Sequence, residues 1–317
     1  MNVWLDFLID SLAFGATFMY GSTGEIITEK AGHLNLGIPG IMCMGGAGGC
    51  LMLNLIGKSS LPPFLIVILG ILAAAVMAGL MGLIYSFLTV TLRANQNVTG
   101  LALTTFGVGL MKVLMSKVDA TVYLVGPKMY YRWPFAGRQD ALQTLGVMFF
   151  LAVINAVVSS VVLYRTKTGL NLRAIGENPA TADAVGINVI RYKYAATCVG
   201  SAIAGLGGFY YIIDYMASQE AYLSLESFGW LSIALVIFAL WRPHMTIIGS
   251  TVFGFLFSCS SYISNISWIP MTMSSKYILK MLPYAVTILV LIITSARNKK
   301  ENQPPAALGL SYFREDR

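Results

Sequence analysis

Between two apolar runs the chain reads GEIITEKAGHLNLGIPG, from Gly24 to Gly40. It holds Glu25, Glu29, Lys30, His33 and Asn35 together with glycines 24, 32, 37 and 40. The surrounding chain is of opposite character: 317 residues, 56% hydrophobic and 11% charged, with mean hydropathy +0.71. A soluble domain carries about 25% charged residues. The apolar excess runs along the whole length, which indicates an integral membrane protein of many spans and excludes a soluble domain on one anchor. Irregular backbone at membrane depth is tolerated only where it faces protein or a water-filled cavity. Two readings of the stretch follow. It is a turn with its charges in water, or a helix break at Gly32–Gly40 that lines a pathway. The second is preferred, because Glu25, Lys30 and His33 nearly cancel in charge and the glycines let the backbone bend.

A helix needs about 20 mostly apolar residues to cross a bilayer. Nine segments qualify: Leu5–Gly24, Ile38–Gly57, Pro62–Leu92, Asn97–Ser116, Ala141–Tyr164, Tyr194–Tyr215, Phe228–Trp241, His244–Ile263 and Leu279–Ser295. The expected fold is therefore all-α, a polytopic bundle of about 8–10 spans, some broken or re-entrant. Phe228–Trp241 is short for a span, and Pro62–Leu92 is long enough to tilt or project. Small-residue faces at Gly45–Gly49, Ala73–Gly82 and Gly200–Gly208 let helix backbones approach closely, which suits a packed bundle. The opening MNVWLDFLIDSLAF has no basic lead, and Asp6 and Asp10 interrupt its apolar run, so it reads as a span and not as a cleaved signal.

Charge sets the orientation. With every segment crossing fully, one side collects thirteen Lys and Arg, including Lys30, Arg93, Arg242, the loop 165–193 and the C-terminal tail. The other collects seven, including Lys58, Lys117, Lys276 and Lys280. The positive side is the cytoplasmic one, so residues 1–296 form the membrane domain and 297–317 a short polar cytoplasmic tail. The scattered basic residues also argue against a nucleic-acid partner.

Several features that resemble catalytic motifs fail on inspection. Gly57-Lys58-Ser59 ends like a phosphate-binding loop, but the glycine required five residues earlier is Met52. His33 and His244 have no Cys, Asp or Glu at metal-ligand spacing. Cys43, Cys50, Cys198 and Cys259 lie in apolar segments without CxxC spacing and read as small buried hydrophobes. No enzyme activity and no bound cofactor are expected of this chain.

The loop RTKTGLNLRAIGENPATADAVGINVIRYK, 165–193, carries a sharp local signal. Asn178 can cap a helix, Pro179 suits its first position, Gly186 suits the position past its end, and Glu177 sits at the positive end of the dipole. A two-turn helix of about 10 Å is thereby presented on a basic loop, a knob that a soluble partner could grip.

This loop and the run after it, through GFYY, closely resemble the coupling-loop region of permeases of the ribose, branched-chain amino acid and nucleoside class of ABC importers. GEIITEKAGHLNLGIPGIM, VTLRANQNVTGLAL and GWLSIALVIFALWRP are similar to further segments of that class, chiefly its nucleoside branch. Two positions depart from that pattern: Pro39, where the branch commonly has an acid, and Ala239 or Leu240, where it has a glycine. The resemblance implies a permease paired with a second, related permease, a cytoplasmic ATPase that binds ATP and Mg, and an external substrate-binding lipoprotein. It implies ATPase coupling through Glu177, Asn178, Pro179, Ala180, Thr181, Asp183, Ala184 and Gly186. A nucleoside requires stacking and hydrogen bonds, so Asn35, Gly37, Asn97, Thr99, Phe106 and Trp230 are the expected pathway residues. A simple sugar or a branched-chain amino acid is the alternative solute. A self-contained secondary transporter or channel is the rival from another class. It would need ionisable groups in the membrane, and only Asp214, expected at an external helix end, and Lys112 are deep enough. A scaffold with no transport role also stays open.

Overall fold

The computed structural model describes residues 3–57, 59, 61–123, 145–263, 273–297 and 303–313. The described residues form twelve α-helices and no strand. In chain order they are α1 (Val3–Lys30), α2 (Ile38–Ile56), α3 (Pro63–Ser86), α4 (Gln96–Met115), α5 (Val147–Arg165), α6 (Lys167–Glu177), α7 (Pro179–Ala184), α8 (Val189–Phe209), α9 (Leu225–Phe238), α10 (Met245–Ile263), α11 (Met273–Lys280) and α12 (Leu282–Arg297). π-Helical turns extend α3 through Phe87–Thr91 and α8 through Tyr210–Tyr215, and a 3₁₀ turn at Gln219–Ser224 leads into α9.

Six helical stretches are long and apolar enough to cross a membrane: Ile38–Ile56, Phe64–Thr91, Gln96–Met115, Val147–Arg165, Val189–Tyr215 and Gln219–Phe238. Met245–Cys259 and Tyr277–Leu289 are shorter apolar helices. Together with α1 these match the nine segments expected. The short segment at Phe228–Trp241 gains its missing length from the 3₁₀ turn before it. Residues 141–144, the start of another expected segment, lie outside the described residues.

The charge-bearing α1 is the hub of the bundle. It packs against α8, α10, α9 and α5, while α2 lies against α3, α8, α4 and α9. From Ala13 to Ile26 every α1 residue is buried. A helix surrounded by protein need not be apolar to suit lipid, so its polar residues persist as long as neighbouring helices satisfy them. Tyr210 donates to Ala13 O at 2.8 Å, and Tyr20 donates to Met148 O at 2.7 Å. Close approach depends on the small-residue faces: a Cβ on Gly24 would lie 2.2 Å from Gly200 O, and one on Gly45 2.4 Å from Gly205 Cα.

The contacts at the two ends agree with the charge count. At one end Gly309 N donates to Gly32 O, Ala307 N donates to Gly176 O, and the Arg93 guanidinium lies over the Phe313 ring. At the other, Asn54 bonds to Lys117 O and Asp119 N, and Tyr215 and Ser258 donate to Asp10. Lys30, Arg93, the 165–193 loop and the tail thus share one end of the bundle, the basic one. The tail is not a loose appendage: over 303–313 it packs onto the bundle, with Pro305 and Ala307 buried.

Candidate functional site

Glu25 and Glu29 are one turn apart on the same face of α1, and both are buried, as are His33 and Asn35. This corrects the expected end of the first span: the helix does not stop at Gly24 but runs to Lys30. Of the two readings of the stretch, burial of Glu25, Glu29 and His33 removes the turn with its charges in water. The break is confined to the turn before Ile38, opened by Gly32 at φ +83.

Every surrounding layer serves this turn. Glu25 Oε1 accepts the Asn35 N–H at 3.1 Å, and Asn35 Oδ1 accepts the Gly37 N–H at 2.9 Å. Leu34 donates its N–H to Gln96 Oε1 at 2.8 Å and accepts the Tyr85 hydroxyl at 2.7 Å. Thr104 donates to Leu36 O at 2.8 Å, and His33 Nδ1 lies 2.9 Å from Thr197 Oγ1. Glu29 accepts the Trp241 indole N–H. The irregular backbone therefore faces protein and is hydrogen-bonded from α1, α3, α4 and α8, which is the condition for tolerating it at depth. Asn35 Nδ2 stays buried without a partner, and the Glu25 and Glu29 carboxyl groups lie within hydrogen-bonding reach of each other. Trp241→Phe would strip the indole donor from the buried Glu29 carboxylate. We expect it to cost about 1–3 kcal/mol, read as a lowered thermal midpoint in detergent; an unchanged midpoint would show that the bond carries no stability. Leu240 and Trp241 hold φ of 53° and 54°. Leu240 is one of the two positions, with Ala239, where the resembled nucleoside branch has a glycine, and its backbone has the left-handed form that glycine favours.

α7 forms as its capping residues predict. Asn178 Oδ1 accepts the Thr181 N–H at 3.0 Å, Pro179 opens the helix, and Gly186 closes it at φ +87. Ala182 points inward with Ile175 and Val189, while Ala180, Thr181, Ala184, Val185 and Gly186 are exposed. Two supports were not foreseen from sequence. α6 forms a platform under α7, capped by Thr166 to Gly169 N at 3.1 Å. The tail braces it, with Tyr312 Oη donating to Asp183 Oδ2 at 2.8 Å and Ala306 N to Glu177 Oε2 at 3.5 Å. Only a weak signal marked the tail: Pro304, Pro305, Tyr312 and Phe313 are unusual in a solvated polar segment.

The expected pathway residues divide into groups. Asn35 and Gly37 share a hydrogen bond, and Gly37 packs toward Gly100 and Leu103 on the inner face of α4, where Thr99 is also buried. Asn97 and Phe106 lie on the opposite, outward face of α4 with Leu101 and Lys112. Trp230 is part-exposed on α9 beside Gly229, which meets Pro39. Of the deep ionisable residues, Asp214 is at the end of the bundle opposite the 165–193 loop and is buried in the π-helical turn of α8, with Oδ2 unpartnered. Lys112 is exposed in the last turn of α4.

A family model described as branched-chain amino acid transport system / permease component matches residues 7–291. The chain belongs to this permease family. The permease is 30% identical to a nucleoside ABC transporter permease protein of Lactococcus lactis subsp. cremoris, over 96% of this chain and 95% of that one. It is also 30% identical, over 97% and 98%, to a chain of Haloferax volcanii provisionally named as a glucose ABC transporter permease protein. Among solved structures, an inward-facing metal-chelate type ABC transporter aligns with a TM-score of 0.50 at 13% identity, covering 92% of this permease and 85% of that chain; this likeness concerns the fold alone. The permease is accordingly a multi-pass membrane component of an ABC transport system.

Proposed function

We propose that this permease forms half of the translocation pathway of an ATP-driven nucleoside importer, moved by a cytoplasmic ATPase that grips α7. The observation that carries the reading is the placement of α7. It is a six-residue helix capped at its start, anchored from beneath by Ala182, and it presents a small-residue outer surface at the basic end. An ATPase closing on that knob would push α6, α8 and the α1–α2 turn together, and rigid-body motion of this kind suits alternating access. The nucleoside assignment is supported by the Lactococcus relative and by the LRANQ and GEIITEKAGHLNLGIPG segments; glucose is the competing solute. Asn35, Gly37, Asn97, Thr99, Phe106 and Trp230 are proposed to line or border the path, next to a second, related permease. A substrate-binding lipoprotein delivers the solute from outside, and ATP and Mg stay on the ATPase.

The test is purification of the chain with its native subunits, followed by uptake of labelled guanosine and labelled glucose into proteoliposomes. Stoichiometric co-purification of an ATPase and a second permease, with ATP-dependent guanosine uptake, is the expected result. Uptake that needs no ATP would end the importer reading. ATP-driven uptake of glucose and not guanosine would move the substrate to the sugar class.

A further inference from the structure

A cavity of about 310 Å³ opens at the basic end behind α7, and the transport reading assigns no ligand to it. Its walls come from separate parts of the chain: His33 of the α1–α2 turn, Arg93 after α3, Gln96 of α4, the stretch from Asp183 to Lys193, and Ser311 and Tyr312 of the tail. Lys193 is 3% exposed, and among the described residues it makes no hydrogen bond or ion pair. Buried charges are paired in folded proteins, because an uncompensated one is costly. Among the described residues the wall carries one carboxylate, Asp183, which accepts the Tyr312 hydroxyl.

We propose that this cavity binds a phosphate-bearing anion. The Lys193 ammonium and the Arg93 guanidinium supply charge, the guanidinium in a shape that suits phosphate oxygens. The start of α8, from its cap Asn188 to Ile190, lines the same space and adds the partial positive charge of a helix N-terminus, the Arg191 N–H being taken by Asn188 Oδ1 at 3.0 Å and the earlier N–H groups left for a ligand. Gln96 and Ser311 bring further polar groups to the wall. The volume lies at the lower end of the range for small-molecule sites, so a phosphate with a modest group attached fits better than a large ligand. A small occupant is favoured over an acidic side chain of a partner protein because this chain's own tail forms one wall. Bound there, the anion bridges the coupling loop, the end of α3 and the tail, and so ties α7 to the α1–α2 turn.

The phosphate group could be free in the cytoplasm or belong to a lipid headgroup, and two arms separate these sources. The chain, purified with whatever subunits accompany it, is placed in nanodiscs of phosphatidylcholine alone. Its thermal midpoint is then followed against inorganic phosphate and AMP at constant ionic strength. In the second arm the discs contain phosphatidic acid and no free phosphate is added. The midpoint is expected to rise in at least one arm. The half-maximal phosphate concentration should rise at least tenfold in Lys193→Gln and in Arg93→Gln, or the phosphatidic acid effect should vanish in both. Lys117→Gln, at the opposite end, should match the parent. Phosphate sites on an accompanying ATPase are common to all variants and cancel in the comparison. Arg93→Gln keeps the test decisive should Lys193→Gln fail to fold. No rise in either arm, or an equal rise in both variants and the parent, overturns the site. A response that appears only after an accompanying ATPase is stripped away also overturns it, since the cavity would then receive a partner's side chain. Because the readout is binding and not uptake, failure here leaves the importer reading intact, and failure of that reading leaves this one testable.

Discussion

Ala180→Arg combined with Ala184→Arg is expected to lower uptake about a hundredfold while leaving the permease folded in the membrane. The two alanines are one turn apart and exposed on α7, so long charged side chains there find water in the isolated permease. In a complex they would be forced into the contact with the ATPase. Misplaced charge in such an interface costs on the order of several kcal/mol, and about 2.7 kcal/mol corresponds to a hundredfold. Asp183 is left alone because its carboxylate accepts the Tyr312 hydroxyl, so changing it would disturb the tail as well. The measurement pairs uptake with the permease's thermal midpoint. Full uptake by the double variant would show that α7 is not the coupling element; a midpoint falling in step with uptake would point to damage inside the permease instead.

Gly24→Leu is expected to abolish the folded permease. Its Cβ would sit 2.2 Å from the Gly200 carbonyl, and the reciprocal Cβ on Gly200 would sit 2.4 Å from Gly24 O. Both obstacles are backbone atoms of buried helices, so the clash can be relieved only by separating α1 from α8. Overpacking that side chains can absorb costs about 1–3 kcal/mol; here the central helix pair itself must open. Gly109→Ala is the control, because a Cβ there meets nothing within 4 Å. The expected outcome is loss of the monodisperse peak in detergent chromatography for Gly24→Leu and for Gly200→Leu, with Gly109→Ala unchanged. A normal peak for Gly24→Leu would mean that the α1–α8 contact is looser than the structure has it.

Much of the architecture is legible along the chain because the bilayer imposes a length and a polarity on each span. Nine apolar segments, the small-residue faces and the distribution of Lys and Arg were enough to anticipate the bundle and which loops share an end. α7 was legible for a local reason: Asn178, Pro179 and Gly186 act on backbone groups within a turn of themselves. The residues proposed for the pathway were harder to place. Asn97 and Thr99 are two positions apart in the same helix, yet they face opposite sides of it, and apolar periodicity says little about which face a helix turns inward when both faces are greasy.

The stretch from Gly24 to Gly40 shows where the boundary lies. Sequence by itself determined that a charged, glycine-bearing interruption sits between two spans at the basic end, because charge, hydropathy and glycine content are properties of the local chain. It could not determine that Glu25 and Glu29 are helical and buried. Trp241 donates to Glu29, while Tyr85, Gln96 and Thr197 hold the turn that follows at Leu34 and His33; these partners lie 50 to more than 200 residues away and act only once the helices have packed. The same holds for the tail, which reads as polar and solvated until Gly32, Gly176 and Asp183 supply its partners. Local composition decides which segments enter the bilayer; hydrogen bonds between distant segments decide which polar groups can follow them.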